Sequence, residues 1–337
     1  MPRTPSQDMP LSAEVGVVAI GRNEGERLKC CLKSISNFSD RVVYVDSGSS
    51  DGSAETARSL GAVVVELDMG TPFTAARARN AGFGRLLEIA PNLNYVYFVD
   101  GDCEVCPGWL DKACLFLKSH DDVAIVWGQR RERFPERSVY NMLCEIEWRS
   151  FPIGETKACG GDALMRVVVF LEAKGYRPDL ICGEEPELCV RIRQQGWRIW
   201  HLDEDMTLHD AAIFRFGQWW KRMLRGGYGF AQGAALHGAL PERHWVKESR
   251  RAWAWGLLIP TIILVLAGVT GGWGLLLLGI YPLQFMRLAL RGPNYYRGAR
   301  WWWAGAMMVA KFPEMLGQMK FLLDRLRRVN STLIEYK

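Results

Sequence analysis

The sequence of 337 residues lacks the features that mark several classes of protein. It has five histidines and a single Cys-x-x-Cys pair, formed by Cys103 and Cys106. A second such pair is absent, and no histidine follows at zinc-finger spacing. Neither a zinc site nor a dithiol redox centre is therefore expected at this pair. The nine cysteines are odd in number and most lie within apolar stretches, which favours a reducing compartment. The polar, proline-containing start has no apolar run, which predicts a flexible tail over residues 1–13 instead of a signal peptide.

The net charge of +5 is small and unevenly distributed. From residue 241 onward there are fourteen Lys and Arg against five Asp and Glu, whereas the first 240 residues have a net charge of −4. A chain whose larger part is acidic is not typical of nucleic-acid-binding proteins, so no nucleic-acid partner is expected. The basic C-terminal quarter favours contact with a membrane surface.

Short apolar runs rich in β-branched residues alternate with segments of helical spacing. The predicted strands cover residues 15–20, 41–46, 62–67, 95–100 and 123–127, and the predicted helices cover 24–37, 51–61, 74–89 and 107–119. Because the strands are apolar on both faces, this order predicts an α/β domain with a Rossmann-like, mainly parallel sheet covered by helices. Farther along, residues 198–202 and 206–209 are predicted as two short strands and 214–237 as a helix.

Polar sequences follow three of the predicted strands, namely Gly21-Arg22-Asn23-Glu24, Asp46-Ser47-Gly48 and Asp100-Gly101-Asp102. In parallel sheets ligands bind outside the carboxyl ends of the strands, so these sequences are expected to meet at one cleft. Two carboxylates separated by one residue repel each other unless a divalent cation lies between them, and such a cation also bridges a diphosphate. The third sequence therefore predicts a metal and diphosphate site.

The order of motifs resembles the family 2 glycosyltransferases, which have the GT-A fold. Beyond the three strand ends, the motifs are Ala78-Arg79-Asn80-Ala81-Gly82, Gly160-Gly161-Asp162-Ala163 and Gly183-Glu184-Glu185-Pro186-Glu187-Leu188. The resemblance covers residues 15–230, roughly two thirds of the chain. It implies an inverting enzyme that moves a sugar from a nucleotide-diphosphate sugar, with a UDP-sugar as the expected donor, and that uses Mg²⁺ or Mn²⁺.

The resemblance also implies roles for individual residues. The implied donor site consists of Ile20, Arg22, Glu24, Asp46, Arg79, Asp100 and Asp102. Within it, Asp102 would bind the metal directly, Asp100 would face the ribose or the metal, and Arg79 would approach the diphosphate. His209 would complete the metal shell, and Gly161 and Asp162 would lie on the acceptor side.

Glu185 matches the acidic residue that acts as the catalytic base in this family, and Glu184 is the alternative because the family more often has Asp at this motif. Pro186 suits the first turn of a helix, so Glu185 is expected at a helix N-terminus, where the helix dipole keeps a carboxylate ionised. An inverting transfer needs one such base to accept the proton of the acceptor hydroxyl.

Residues 253–290 carry no charge before Arg287, and Gly271-Gly272 divides them into two pieces that are each long enough to cross a membrane. Basic residues flank both ends and the central loop has none, so the positive-inside rule places both ends and the catalytic domain in the cytoplasm, at a bacterial-type inner membrane. The alternative is a buried helical hairpin of a soluble protein.

The predicted organisation is a flexible tail over residues 1–13, a GT-A domain over 14–240, a transmembrane helical hairpin over 251–290 and an interfacial basic segment over 295–337. The expected function is sugar transfer to a lipid-linked acceptor in the synthesis of cell-surface polysaccharide or glycolipid. Two alternatives are a sugar-phosphate nucleotidyltransferase, whose Gly-rich basic signature residues 19–25 lack, and a non-catalytic membrane scaffold that retains the fold.

Overall fold

A computed structural model describes residues 14–36, 41–293, 295 and 298–329. The predicted tail and the last eight residues of the predicted interfacial segment lie outside this part of the chain. The described residues form two compact units. The first contains residues up to 133 together with 148–178 and 184–211, and the second contains 134–147, 179–183 and those from 212 onward.

The first unit is built on one mixed sheet. Its strands are β1 (Val15–Gly21), β2 (Val42–Asp46), β3 (Val63–Glu66), β4 (Tyr95–Asp100), β5 (Cys103–Val105), β6 (Val123–Glu132), β7 (Gly154–Thr156), β8 (Ala163–Arg166) and β9 (Arg198–His209). They are arranged in the order β3-β2-β1-β4-β8-β6-β9-β5, and β7 also pairs with β9.

Thirteen α-helices occur in the described residues. They are α1 (Glu26–Ile35), α2 (Ser53–Ser59), α3 (Ala75–Ile89), α4 (Trp109–Ser119), α5 (Val139–Arg149), α6 (Val167–Glu172), α7 (Glu184–Gln194), α8 (Phe216–His237), α9 (Val246–Trp253), α10 (Ile259–Val269), α11 (Ile280–Arg291), α12 (Ala299–Val309) and α13 (Lys311–Arg327). In α1 the apolar residues recur at helical spacing and all four are buried: Leu28, Cys31, Leu32 and Ile35.

The predicted parallel arrangement is present in one half of the sheet. Strands β1, β2, β3 and β4 pair only in parallel with one another, as the alternation of strands and helices predicts. The other half is mixed, because β8 lies antiparallel between β4 and β6. The α/β class is therefore confirmed, and the sheet as a whole is mixed instead of mainly parallel.

Two strand boundaries differ from the prediction. Strand β6 continues from Trp127 to Glu132, although the apolar run that predicted it ends at Trp127. Residues 198–209 form one strand instead of two. The pairing of β9 with β6 shifts register on both sides of Gln129. The acidic residues between the two predicted strands lie at this irregularity, with the side chains of Asp203 and Asp205 exposed.

The second unit is helical, and glycines let two of its long helices approach closely. A Cβ atom on Gly227 of α8 would lie 2.0 Å from the carbonyl oxygen of Glu314, and one on Gly317 of α13 would lie 2.0 Å from that of Leu224. Across this unit Ser249 donates a 2.5 Å hydrogen bond to Gln318. The predicted interfacial segment therefore includes a helix with one buried face.

Two helical stretches of the second unit have the length and composition of membrane spans among the described residues: Val246–Val269 and Trp273–Arg291. The first runs from α9 through a π-helical turn into α10, and the second runs from a 3₁₀ turn into α11. Few of their side chains are buried, and Leu264 is 67% exposed. That these stretches cross a membrane stays a prediction.

Candidate active site

The three polar strand ends lie side by side at one edge of the sheet. Strand β1 lies between β2 and β4, with Gly21 opposite Asp46 and Ile20 opposite Asp100. The backbone N–H of Gly101 donates a 2.7 Å hydrogen bond to the carbonyl of Ile20, so the turn after β4 is tied to the end of β1. The parallel register thus brings three distant sequences to one place.

Asp46, at the end of β2, shapes the loop that follows it. Its buried carboxylate accepts hydrogen bonds from the backbone N–H of Gly48 at 3.0 Å, the backbone N–H of Ser49 at 2.7 Å and the hydroxyl of Tyr44 at 3.2 Å. Gly48 has φ +79°, a conformation that a glycine adopts without strain. Asp46, which was predicted to bind the nucleotide-sugar donor, is therefore held in place by hydrogen bonds from its own loop and from Tyr44.

The residues after β1 lie beside this loop. The guanidinium of Arg22 lies 4.9 Å from the centre of the Phe73 ring, a cation–π contact. The carboxylate of Glu24 forms a 2.8 Å ion pair with Arg27, and its side chain approaches Gly101 in the turn between the two aspartates. Glu24 therefore borders the predicted metal site.

Arg79 is the centre of a buried ionic cluster. Its guanidinium lies 2.8 Å from a carboxylate oxygen of each of three acids: Asp100, Glu184 and Glu185. Burial alone would lower the pKa of Arg79, but the three negative charges outweigh it and hold the pKa well above its usual value. The side chain that was expected at the diphosphate thus joins the metal motif to the acidic pair.

The rest of the Arg79 motif supports this placement. The side chain of Asn80 donates a 2.7 Å hydrogen bond to the backbone carbonyl of Tyr176 and accepts one of 2.9 Å from its N–H. The ring of Tyr176 lies 5.5 Å from the Arg79 guanidinium. Helix α3 approaches the sheet at Gly82, where a Cβ would lie 2.4 Å from Val18. Arg79, Asn80 and Gly82 of this motif therefore each make a specific contact in the structure.

Asp102 and His209 form the part of the site best suited to a metal. A carboxylate oxygen of Asp102 lies 3.2 Å from Nε2 of His209, and both side chains are buried. Cys103 lies opposite His209 in the pairing of β5 with β9. The ligand atoms of these three residues lie within 4.8 Å of one another, and a second such group consists of Asp100, Cys103 and Asp162.

Arg130 and Asp162 support this group through hydrogen bonds. Arg130 was not predicted from the sequence. Asp162 is fully buried, and it accepts hydrogen bonds from the backbone N–H of Asp100 at 3.1 Å, from Thr207 at 2.8 Å and from Arg130 at 3.0 Å. Asp162 is thus enclosed by its hydrogen-bond partners, and its place on the acceptor side stays a prediction. Arg130 lies in the extension of β6 beyond the apolar run, where nothing in the sequence distinguishes it from a solvated arginine.

Charge from two arginines also acts on Asp100. Burial alone would raise the pKa of this carboxyl, but Arg79 and Arg130 outweigh burial and lower the pKa. Arg130 lies 3.3 Å from the second oxygen of Asp100. Asp100 is therefore held ionised between two cations, and its side chain remains 26% exposed.

Gly161 leaves space at the middle of the cluster. A Cβ on this residue would lie 2.7 Å from the guanidinium of Arg79, 2.9 Å from a carboxylate oxygen of Asp100 and 3.2 Å from one of Glu185. The same atom on Gly160 would meet nothing within 4 Å. The second glycine of the motif is therefore the one that the site needs.

Glu184 and Glu185 are the first two residues of helix α7, so Glu185 lies at a helix N-terminus as expected. The side chain of Glu184 is 5% exposed and that of Glu185 is 13% exposed. Burial, followed by the charge of Glu184, raises the pKa of Glu185 to about 7 against the opposing effect of Arg79. The helix N-terminus therefore does not keep Glu185 fully ionised at neutral pH, contrary to the expectation, because burial outweighs it. A carboxyl that titrates near neutral pH suits general base catalysis.

Comparisons with known proteins agree with the fold and with the predicted class of enzyme. The family model described as glycosyl transferase family 2 matches residues 17–172. The succinoglycan biosynthesis protein ExoA of Rhizobium meliloti (strain 1021) is 25% identical over 327 residues, which cover 91% of this chain and 94% of that protein. The mannosyltransferase PcManGT of Pyrobaculum calidifontis, solved in complex with GDP-Man and Mn²⁺, aligns with a TM-score of 0.64 at 19% identity, covering 93% of this chain and 88% of that one.

The mixed α/β sheet has the GT-A fold of glycosyltransferases, and residues 17–172 match the model of glycosyl transferase family 2. The family model, the relative and the fold together support a family 2 glycosyltransferase, as the motifs predicted. These findings give no support to the nucleotidyltransferase or to the non-catalytic scaffold.

Proposed function

We propose that this enzyme transfers a sugar, with inversion, from a nucleoside diphosphate sugar to a lipid-linked acceptor in the synthesis of a surface polysaccharide. The observation that carries the proposal is the placement of Glu185, a carboxyl with a pKa of about 7, in one ionic cluster with Asp100 through Arg79. Such a cluster joins a base to a metal and diphosphate site.

Asp102 and His209 are the proposed ligands of a divalent cation, Mg²⁺ or Mn²⁺. A carboxylate oxygen and an imidazole nitrogen 3.2 Å apart are spaced as two ligands of one ion, and a carboxylate suits both Mg²⁺ and Mn²⁺. When bound, the ion would neutralise charge on the departing nucleoside diphosphate. Asp100, the more exposed of the two aspartates, is proposed to face the ribose or the same ion.

Glu184 and Glu185 are proposed to have different roles in the transfer. Glu185 is the proposed base that accepts the proton of the acceptor hydroxyl, because it is the more exposed member and its pKa is raised. Burial and the charge of Glu184 raise that pKa and Arg79 opposes them, so these three effects set the pH at which Glu185 becomes a base. Arg79 is proposed to act mainly on the acids and not on the diphosphate.

The donor loops around Ile20, Arg22, Glu24 and Asp46 are proposed to hold the nucleoside, with a UDP-sugar as the first candidate. The chain is proposed to lie at a bacterial-type inner membrane with its catalytic unit in the cytoplasm. Two apolar helices and a relative named for succinoglycan biosynthesis support a membrane-attached enzyme of polysaccharide synthesis.

The test is sugar transfer by detergent-solubilised enzyme, with UDP-sugars and GDP-mannose as donors, lipid extract or soluble sugars as acceptors, and Mn²⁺ or Mg²⁺ as the ion. Glu185→Gln is expected to lower turnover by roughly 10²- to 10⁴-fold while nucleoside diphosphate still binds. Asp102→Asn is expected to abolish the dependence of nucleotide binding on the metal.

Asp121→Asn is the matched control, since the Asp121 side chain is 99% exposed and lies outside the site. It should transfer sugar at the wild-type rate. Undiminished transfer by Glu185→Gln would overturn the assignment of the base, and equal transfer to soluble and lipid acceptors would overturn that of the acceptor.

A further inference from the structure

Trp245, the residue before helix α9, has an unusual backbone conformation. Its φ is +52° and its ψ is 12°, in the left-handed region that bulky residues rarely adopt. Arg243, two residues earlier, also has a positive φ of 47°. Backbone of this kind persists only where the surrounding structure determines it, and it often marks a functional position.

A slot lined by glycines receives the Trp245 indole. A Cβ on Gly183 would lie 2.2 Å from the indole, and one on Gly233 of α8 would lie 2.5 Å from it. The ring of Phe230 meets the indole edge-on at 5.4 Å, and that of His244 stacks on it at 4.4 Å. The two glycines and the two rings therefore leave a space that fits the indole.

The segment that ends at Gly183 is held on α8 from its other side. The thiol of Cys182 donates a 3.1 Å hydrogen bond to the carbonyl of Arg225, and the guanidinium of Arg225 donates one of 3.0 Å to the carbonyl of Ile181. A Cβ on Gly229 would lie 2.6 Å from the sulfur of Cys182, so this glycine is also needed for the close approach.

Gly183 is the residue directly before Glu184 and Glu185. It has φ +79°, so the chain turns sharply between the held segment and the first turn of α7. The position of the Gly183 backbone therefore determines where the acidic pair begins. Trp245 is in turn the last residue before Val246–Val269, the first candidate membrane span.

We propose that Trp245 is a positioning residue for the acidic pair: by filling the glycine slot it fixes Gly183, and with it the start of the helix that carries Glu184 and Glu185. Trp245 also directly precedes the first candidate membrane span, so the same contact links the start of that span to Gly183. This inference rests on the proposed role of Glu185.

Matched glycine variants in one helix test the slot. Gly233→Ala puts a methyl group where the indole lies, whereas Gly226→Ala, also in α8, meets nothing within 4 Å. Gly233→Ala is expected to lower kcat by roughly 10- to 100-fold, since displacements of about 1 Å have effects of this size. The KM for the donor and the affinity for nucleoside diphosphate should stay within about twofold, since the donor loops are untouched. Gly226→Ala should keep the wild-type kcat.

Trp245 variants complete the test. Trp245→Ala is expected to lower kcat by a similar factor, and the double variant Gly233→Ala/Trp245→Ala should lose no more than Trp245→Ala alone, because the two changes act on one contact. Trp245→Phe, which keeps an aromatic ring, should recover most of the rate. If Trp245→Ala does not fold, Gly233→Ala against Gly226→Ala is the informative comparison.

Two results would overturn the inference. One is a wild-type kcat in Trp245→Phe and Trp245→Ala together with a lowered melting temperature, which would make Trp245 a packing residue only. The other is additive loss in the double variant. If Glu185→Gln keeps full transfer, the proposed base is wrong; if Glu185→Gln is inactive and the Trp245 variants are fully active, only the positioning role is wrong.

Discussion

At the scale of the residue, two adjacent glycines differ in what surrounds them. A side chain on Gly161 would enter the space between Arg79, Asp100 and Glu185, whereas one on Gly160 would point into open space. We expect Gly161→Ala to lower turnover by roughly 10²-fold through displacement of the ionic cluster, and Gly160→Ala to be neutral. Steady-state kinetics of the two purified variants would show this, and equal activities would contradict it.

The pH dependence of turnover belongs to the same scale. Glu185 acts as a base only when ionised, so kcat should rise with pH through its pKa of about 7. Glu184→Gln removes a charge that raises this pKa, so the acidic limb of the profile should move to lower pH. The profile of kcat at saturating substrates measures the shift.

The matched control for that profile is Glu88→Gln, at an exposed acid 2.6 Å from Arg85 and outside the site. Its acidic limb should coincide with that of the wild type. A limb that stays in place or moves to higher pH in Glu184→Gln would show that Glu184 does not set the pKa of the base.

At the scale of the element, helix α3 contains two glycines in different surroundings. A Cβ on Gly82 would lie 2.4 Å from Val18 and 2.8 Å from Val45, whereas one on Gly84 would meet nothing within 4 Å. We expect Gly82→Ala to lower the free energy of unfolding by about 1–3 kcal/mol through overpacking.

Gly84→Ala should raise the free energy of unfolding by about 0.5–1 kcal/mol, because alanine loses less entropy than glycine in a helix. Urea unfolding of the two variants, followed by circular dichroism, compares them directly. If both changes raise the free energy of unfolding, the close approach of Gly82 to the sheet is not needed for stability.

At the scale of the whole molecule, the open question is what the two apolar helices contact. Leu264 in the first candidate span and Leu115 on α4 are both exposed, at 67% and 56%. If the span crosses a bilayer, Leu264→Lys costs about 2.5–3.5 kcal/mol of insertion and should shift the protein out of carbonate-washed membranes.

Leu115→Lys adds the same charge to the catalytic unit and should leave the membrane-bound fraction unchanged. Equal membrane fractions for the wild type and both variants would contradict the span. Such a result would favour the alternative of a helical hairpin in a soluble protein.

Local sequence was sufficient for the parallel half of the sheet and for the family. The apolar runs of β1, β2 and β4 are buried on both faces, so their boundaries were predicted to within a residue. Burial on both faces leaves a continuous apolar run in the sequence. The boundaries of β6 and β9 were not predicted, since their added residues are partly exposed and carry charge.

The sequence by itself determined which residue types follow the strands and, through the order of its motifs, the class of enzyme. Only the tertiary structure decided how these residues combine: that Arg79 binds three carboxylates, that Arg130 and Asp162 brace the turn carrying Asp100 and Asp102, and that Gly161 leaves room between them. The physical reason is that charge pairing and excluded volume depend on distances between atoms. Residues far apart in the sequence acquire these distances only when the chain folds.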